Sequence, residues 1–304
     1  PFPLWTSVLL LPLAVLPLDW AAAFWLTLNE ILLGLSLYFL ARQVKLKKLT
    51  LLELVILVVG VFFFRASTVS LFVGQISILL LFLLISYFLF YSQGRYFIAG
   101  FVLTFIIMKP NPFLLFAPLV GIWLLLHQRW RIIIGSFAGC AFLSGLTWLI
   151  EPGWIRQWLH VRGKSIVAFQ TPTLWGLAFE LSSKFWAILG LFFVLLLTIL
   201  LGKMIVRRSD FEKRDILSLA IVGSLLITPY AWAYEHVLLI FPLIILFQRF
   251  RSTKLGMGLW IFFTLFFPWL LYSGAFYRGR DTLSFLVPLM ILIIYITDKK
   301  REIF

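Results

Sequence analysis

The stretch Phe105–Phe116, "FIIMKPNPFLLF", sets a lysine, an asparagine and two prolines inside a long apolar run. Charge is expensive in hydrocarbon, and a proline interrupts the helical hydrogen-bond ladder. Both neighbouring segments are nevertheless membrane-like. The reading that reconciles them is a broken membrane helix, tolerated where protein or a water-filled cavity satisfies the freed backbone groups. Lys109 then faces an anionic substrate and not lipid.

The composition fits that reading. Of 304 residues, 62% are hydrophobic and 12% charged, and the mean hydropathy is +1.06. A soluble domain is nearer 45–50% apolar and about 25% charged. Apolar runs of about 17–25 residues recur along the chain, each able to cross ~30 Å of hydrocarbon. The ~10-residue alternating segments of a β-barrel do not appear. The expected fold is therefore all-α, a polytopic transmembrane helical bundle of about 11–12 membrane segments, with residues 1–304 as one integral membrane domain. The spans are read at 4–18, 20–41, 51–64, 71–91, 96–108, 112–127, 132–150, 185–202, 215–229, 236–248, 255–272 and 283–297. Residues 151–184 form a long polar stretch between the seventh and eighth of them.

The net charge of +14 does not point to nucleic acid. Short cytoplasmic loops collect Lys and Arg, and the clusters Arg42–Lys48, Arg95, Gln128–Arg131, Lys203–Arg214, Gln248–Lys254 and Asp298–Arg301 fall on one side under these spans. That side is placed in the cytoplasm. The other receives Arg65–Ser70, Lys109–Asn111, residues 151–184, Tyr230–Glu235 and Ser273–Thr282. A fully spanning 4–18 segment would put Pro1 in the cytoplasm; a half-inserted or re-entrant one would not. Cys140, the single cysteine, excludes a disulfide framework and reads as packing.

Polar residues in or near apolar spans are candidate functional groups. Lys109 reads either as a lysine near a helix end whose stem snorkels to the interface or, the favoured reading, as a phosphate ligand. Pro110 and Pro112 open the next helix, so Lys109 and Asn111 stand beside a helix N-terminus, and a cation beside free N–H groups makes a phosphate site. Arg65, ending "VVGVFFFR", is an interfacial anchor or a site residue. Gln75, after Gly74, needs a buried partner such as another helix or a sugar hydroxyl. Asn29 and Glu30, near the middle of the second span, read as a structural polar bridge. "ITPYAWAYEHVLLIFP" (Ile227–Pro242) carries Trp232, Tyr234, Glu235 and His236. It reads equally as an aromatic interfacial belt or as groups that orient a sugar or phosphate. Residues 151–184 form an amphipathic stretch that would lay Trp154 and Trp158 among lipid headgroups. Arg156, His160, Arg162 and Lys164 would then face lipid phosphate or simply anchor the segment. The three histidines have no ligand-like spacing, so neither a metal nor a cofactor is expected.

The run from "VGQISILLL" (Val73–Leu81) through "MKPNP" to "HQRW" (His127–Trp130), with "TPYAWAYEHVLLIFP" and "LNEILL", resembles glycosyltransferase family 87. The match covers essentially the whole chain: a Gly-Gln helix start, a small-residue helix, a Lys-x-x-Pro break, a basic turn and a later Pro-x-x-Trp…His…Pro motif. The resemblance implies a cell-membrane, multi-pass glycosyltransferase. It would transfer a hexose, often mannose, from a polyprenyl-phosphate donor to a glycolipid or glycan acceptor on the non-cytoplasmic side. It implies no nucleic-acid partner. Lys109, Arg65 and His236 would bind the donor phosphate, and Gln75, Asn111, Trp232, Tyr234, Glu235 and Arg162 the substrates. The family's general-base carboxylate is expected in a first outer loop. No residue of this chain matches it, and it is expected before Pro1, so the chain reads as an N-terminally truncated and inactive fragment. The rival readings are a transporter of a lipid-linked saccharide or other anion, and a non-catalytic membrane scaffold.

Overall fold

The computed structural model describes residues 3–46, 48–162, 171–207 and 213–301. They fold as helices, and no strand occurs among them. The helices are α1 (Leu4–Leu10), α2 (Leu18–Gln43), α3 (Leu51–Phe62), α4 (Arg65–Val73), α5 (Ser77–Ser92), α6 (Tyr96–Thr104), α7 (Phe116–Leu126) and α8 (Trp130–Trp148). They continue as α9 (Trp154–Arg162), α10 (Leu174–Leu181), α11 (Trp186–Arg207), α12 (Lys213–Ile227), α13 (Ile240–Phe250), α14 (Lys254–Ile261), α15 (Phe267–Arg278) and α16 (Leu286–Arg301).

Among the described residues, five helices are long and apolar enough to cross a membrane, and a sixth span arises if α3 and α4 count as one, bent by 49°. Several other expected spans correspond to shorter apolar helices, such as Ser77–Ser92 and Tyr96–Met108. Burial sorts the spans by position. Ala233–Phe250 is 78% buried and forms the axis, whereas Trp186–Lys203 is 11% buried and lies at the periphery. An exposed Leu, Ile and Phe surface of this kind is what a bundle presents to lipid, since apolar chains need no cover there.

Two departures from the expected boundaries have local causes. The helix that starts at Arg65 runs on to Val73, where a break at 65–70 was expected. It stops at Gly74, whose φ of 68° is left-handed. The Gly74 N–H donates to Leu71 O, and the Gln75 N–H to Ser70 O at 2.9 Å, closing the helix as a Schellman turn. Residues 151–184 also contain more structure than a polar stretch. Trp154 is buried, its indole donating to Thr147 Oγ1 at 3.0 Å and packing edge-on to Trp5. In α10, Trp175 donates to Ile227 O at 2.8 Å. Arg156 and His160 remain exposed. The side chain of Arg162, and Lys164 altogether, lie outside the described residues.

The first segment is anchored at one end of the bundle. Trp5 Nε1 donates to Ile107 O at 3.0 Å and Thr6 Oγ1 to Met108 O at 2.7 Å, beside Lys109. Helix α2 also starts at that end, because Trp25, two turns into it, donates to Gly74 O. Residues 4–15 therefore begin and end at the same end of the bundle and do not cross it.

Close helix contacts come from glycine. A Cβ on Gly100 would lie 1.9 Å from Ile132 O, and one on Gly135 2.1 Å from Phe97 O, so α6 and α8 touch backbone to backbone. Cys140, on α8, is exposed on the bundle surface and not packed inside. Asn29 and Glu30 do not bridge segments: Asn29 is buried and donates to Trp25 O in its own helix, while Glu30 is exposed.

Candidate functional site

The break around Lys109 is built from its own sequence. A residue before proline is pushed out of the helical region, and Lys109, before Pro110, has φ −139° and ψ 87°. The short turn Phe105–Met108 ends there and Asn111–Phe113 follows. This turns the lysine side chain inward. Lys109 is buried, and its Nζ lies 2.7 Å from Glu235 Oε1, whose side chain is wholly buried. The ammonium also reaches Gln75 Oε1 at 3.4 Å and sits 4.5 Å from the centre of the Tyr234 ring. The second Glu235 oxygen accepts from the Trp232 N–H at 2.7 Å.

The anion on Lys109 is thus one of the protein's own carboxylates. The free helix N-terminus expected beside it is also occupied. Helix α7 starts at Phe116, beyond Pro112, and the N–H groups of Leu115 and Phe116 donate to Ser224 Oγ of α12, at 2.9 and 3.3 Å. Asn111 is half-buried in the intervening turn.

A second cluster forms at the bend between α3 and α4. Arg65 is buried and makes a two-pronged pair with Asp281, at 3.1 Å to Oδ1 and 2.6 Å to Oδ2. The same guanidinium donates to Ser284 Oγ at 2.7 Å and lies 4.5 Å from the centre of the Tyr272 ring. A planar fork meeting a planar carboxylate fixes both groups in orientation.

The turn Ala233–Leu239 connects the clusters. Glu235 reaches Lys109. The next residue, His236, is buried within electrostatic reach of Asp281 and Arg65, and its Nε2 has no hydrogen-bond partner among the described residues. Ser70 of α4 donates to Tyr234 O at 3.0 Å, which fixes that turn against the Arg65 helix.

Beside the second cluster lies an open cleft of about 180 Å³, with Arg65, Trp232, Tyr272 and Asp281 in its wall. Lys109, Gln75 and His236 are not part of its wall. Gln75, Lys109, Tyr234 and Glu235 form one constellation; Trp232 and Arg65 face the cleft.

Asp281, Tyr272, Arg280 and Ser284 were not singled out as site residues from sequence. The available signal was "RGRD" (Arg278–Asp281), three charges in four residues on the side expected to be poor in them.

Chemically, the end of the bundle carrying Lys109 and Arg65 offers buried cations held by carboxylates, indole and phenol rings, and an opening beside them. Such a site can orient hydroxyls and stabilise developing negative charge. Neither a curated protein nor a solved structure matches the chain. The family model for glycosyltransferase family 87 matches residues 2–229. That range contains Arg65, Gln75 and Lys109 and stops short of Trp232, Glu235, His236 and Asp281, so the resemblance read over the whole chain is supported over its first 229 residues. The chain, a multi-pass bundle with its buried ionic clusters at one end, belongs to glycosyltransferase family 87 and is a membrane glycosyltransferase.

Proposed function

We propose that the protein transfers a hexose, mannose being the first candidate, from a polyprenyl-phosphate donor to a glycolipid or glycan acceptor at the non-cytoplasmic face of the cell membrane. In this reaction the bond from sugar C1 to the phosphate oxygen breaks and a bond from C1 to the acceptor oxygen forms. The acceptor proton passes to a carboxylate, which family resemblance assigns to the first outer loop. The lipid phosphate leaves with added negative charge. A preorganised cation beside that oxygen lowers the barrier because it needs no reorganisation as the charge develops.

The observation that carries this reading is Lys109, an ammonium buried at a helix break and held 2.7 Å from Glu235. A buried pair of this kind is a weak source of stability, since desolvation offsets most of the attraction. A structural role alone is therefore a poor reason for its presence. In the proposed cycle the donor phosphate replaces the long Gln75 contact, at 3.4 Å the weaker of the two described polar contacts of Lys109. Glu235 keeps the ammonium in place. His236 and Arg65, also considered as phosphate ligands, belong to the neighbouring cluster, where Arg65 is engaged by Asp281.

The test uses the full-length gene product in nanodiscs with radiolabelled polyprenyl-phosphate-mannose and a membrane-glycolipid acceptor extract. Lys109→Met should lower label transfer by about 10²-fold or more, the scale for removing one transition-state electrostatic contact. Transfer undiminished in Lys109→Met overturns the phosphate role. No transfer from mannose or other hexose donors by folded protein overturns the reaction.

A further inference from the structure

The cleft beside Arg65 has a chemistry of its own. Its walls include the rings of Trp232, Tyr272 and Phe276 and the charged groups of Arg65, Arg280 and Asp281. The charges cancel in pairs. Arg65 is held by Asp281, and Arg280 lies 3.7 Å from Glu180. A free anion entering here would have to compete with a carboxylate for each guanidinium. A neutral ligand meets no such competition.

The hydrogen-bonding groups left over suit a polyol. Arg65 directs its terminal nitrogens to Asp281 and Ser284. Its Nε, although buried, has no partner among the described residues. The Arg280 side chain is half exposed, at 48%. The carboxylate of Asp281 retains lone pairs that can accept from a ligand hydroxyl. Donors and acceptors side by side next to aromatic surface are what a pyranose requires: hydroxyls on its edge, and a C–H face that packs on a ring. The size agrees as well. Pockets for drug-sized ligands measure roughly 300–1,000 Å³, and this cleft, at about 180 Å³, is smaller, on the scale of one sugar ring.

We infer that this cleft, between α4, α15 and the turn at Asp281, binds a neutral hexopyranose ring of the sugar substrate through its hydroxyls and ring face, and that it is not the phosphate site. The inference rests on the glycosyltransferase reading for the identity of the ligand as a substrate. It does not depend on Lys109 being the phosphate ligand. Arg65 and Asp281 act as a fixed donor–acceptor pair, while Trp232 supplies the stacking surface.

The experiment is saturation-transfer NMR of methyl α-mannoside, methyl α-glucoside and methyl α-galactoside with the full-length protein in nanodiscs, with inorganic phosphate as competitor. At least one glycoside should receive saturation at its ring protons. Trp232→Ala should weaken that binding roughly tenfold, the loss of an aromatic contact worth about a kcal/mol or more, and Trp232→Phe should retain most of it. The exposed Arg280→Ala, which removes no buried group, should weaken it without lowering the unfolding temperature. Phosphate should not compete. The inference is overturned if all three glycosides fail to bind, if binding is unaffected in both Trp232→Ala and Arg280→Ala, or if phosphate displaces the sugar. Sugar binding that persists in a protein without lipid-phosphate-dependent transfer would count against the proposed reaction and leave the cleft standing. Transfer by a protein that binds none of the glycosides would do the reverse.

Discussion

Lys109→Met removes the only charge partner described for Glu235, a carboxylate with no exposed side-chain surface. Breaking a buried pair from one side costs about 3–5 kcal/mol, because the remaining charge stays buried and unpaired. The single variant should therefore unfold at a clearly lower temperature, which differential scanning fluorimetry in nanodiscs would record. Lys109→Met/Glu235→Gln removes both charges and should recover most of that loss while transfer stays as low as in Lys109→Met. Recovery of transfer together with stability would assign the pair to structure alone. The lysine was legible in sequence because a charge between prolines in an apolar run has few reasons to exist. Glu235 was also legible as a site residue, but not as the partner of that lysine. Glu235 and Asp281 lie far along the chain from Lys109 and Arg65, and residue type does not say which distant segment a buried charge will meet. Asp281 was further hidden in a polar "RGRD" turn that looks like ordinary interfacial sequence.

Helix packing at the element scale depends on positions with no side chain. Gly100→Val places atoms where Ile132 O already lies, 1.9 Å from the first added carbon. Overpacking of that kind costs typically about 1–3 kcal/mol, so α6 and α8 should separate and the unfolding temperature fall. Gly121→Ala, with nothing within 4 Å of its added carbon, should leave it unchanged. Ser224→Ala is a second element-scale test. It strips the acceptor from the Leu115 and Phe116 N–H groups and should cost about 1–3 kcal/mol, the penalty for a buried unsatisfied donor. Equal stability of wild type and Ser224→Ala would show that another acceptor serves the start of α7. The apolar runs located most of the membrane-like helices, because long runs of that kind leave little choice. They misplaced the break near Arg65, since the stop is set by the left-handed backbone at Gly74 and not by the polar residues preceding it. The close approaches of Gly100 to Ile132 and of Gly135 to Phe97 were similarly out of reach, as a glycine within an apolar run does not name the backbone it will touch.

The ionic clusters gather at one end of the whole molecule, with Lys109, Arg65, Glu235, His236 and Asp281 joined through the turn Ala233–Leu239. Lys- and Arg-rich loops stay in the cytoplasm as a rule, so the expectation to be tested is that these clusters face the other side. In a Cys140→Ala background, Glu151→Cys should react with a membrane-impermeant maleimide on intact cells, and His127→Cys only after lysis. The reverse pattern would invert the topology and place the sugar chemistry in the cytoplasm. Membrane class was legible from composition, because no soluble core needs 62% hydrophobic residues, and all-α architecture from the length of the apolar runs. The cleft was not legible, since it exists only where the end of α15 and the turn at Asp281 approach the start of α4.

The exposed thiol of Cys140 has a practical consequence. It is the chain's one cysteine, and it lies on the outer surface of α8, which starts at Trp130. Ten helical residues from that start span about 15 Å, half of a hydrocarbon layer of roughly 30 Å. A nitroxide attached there without mutagenesis would report the bilayer mid-plane directly. Its relaxation should be strongly enhanced by dissolved oxygen and barely touched by a water-soluble nickel chelate.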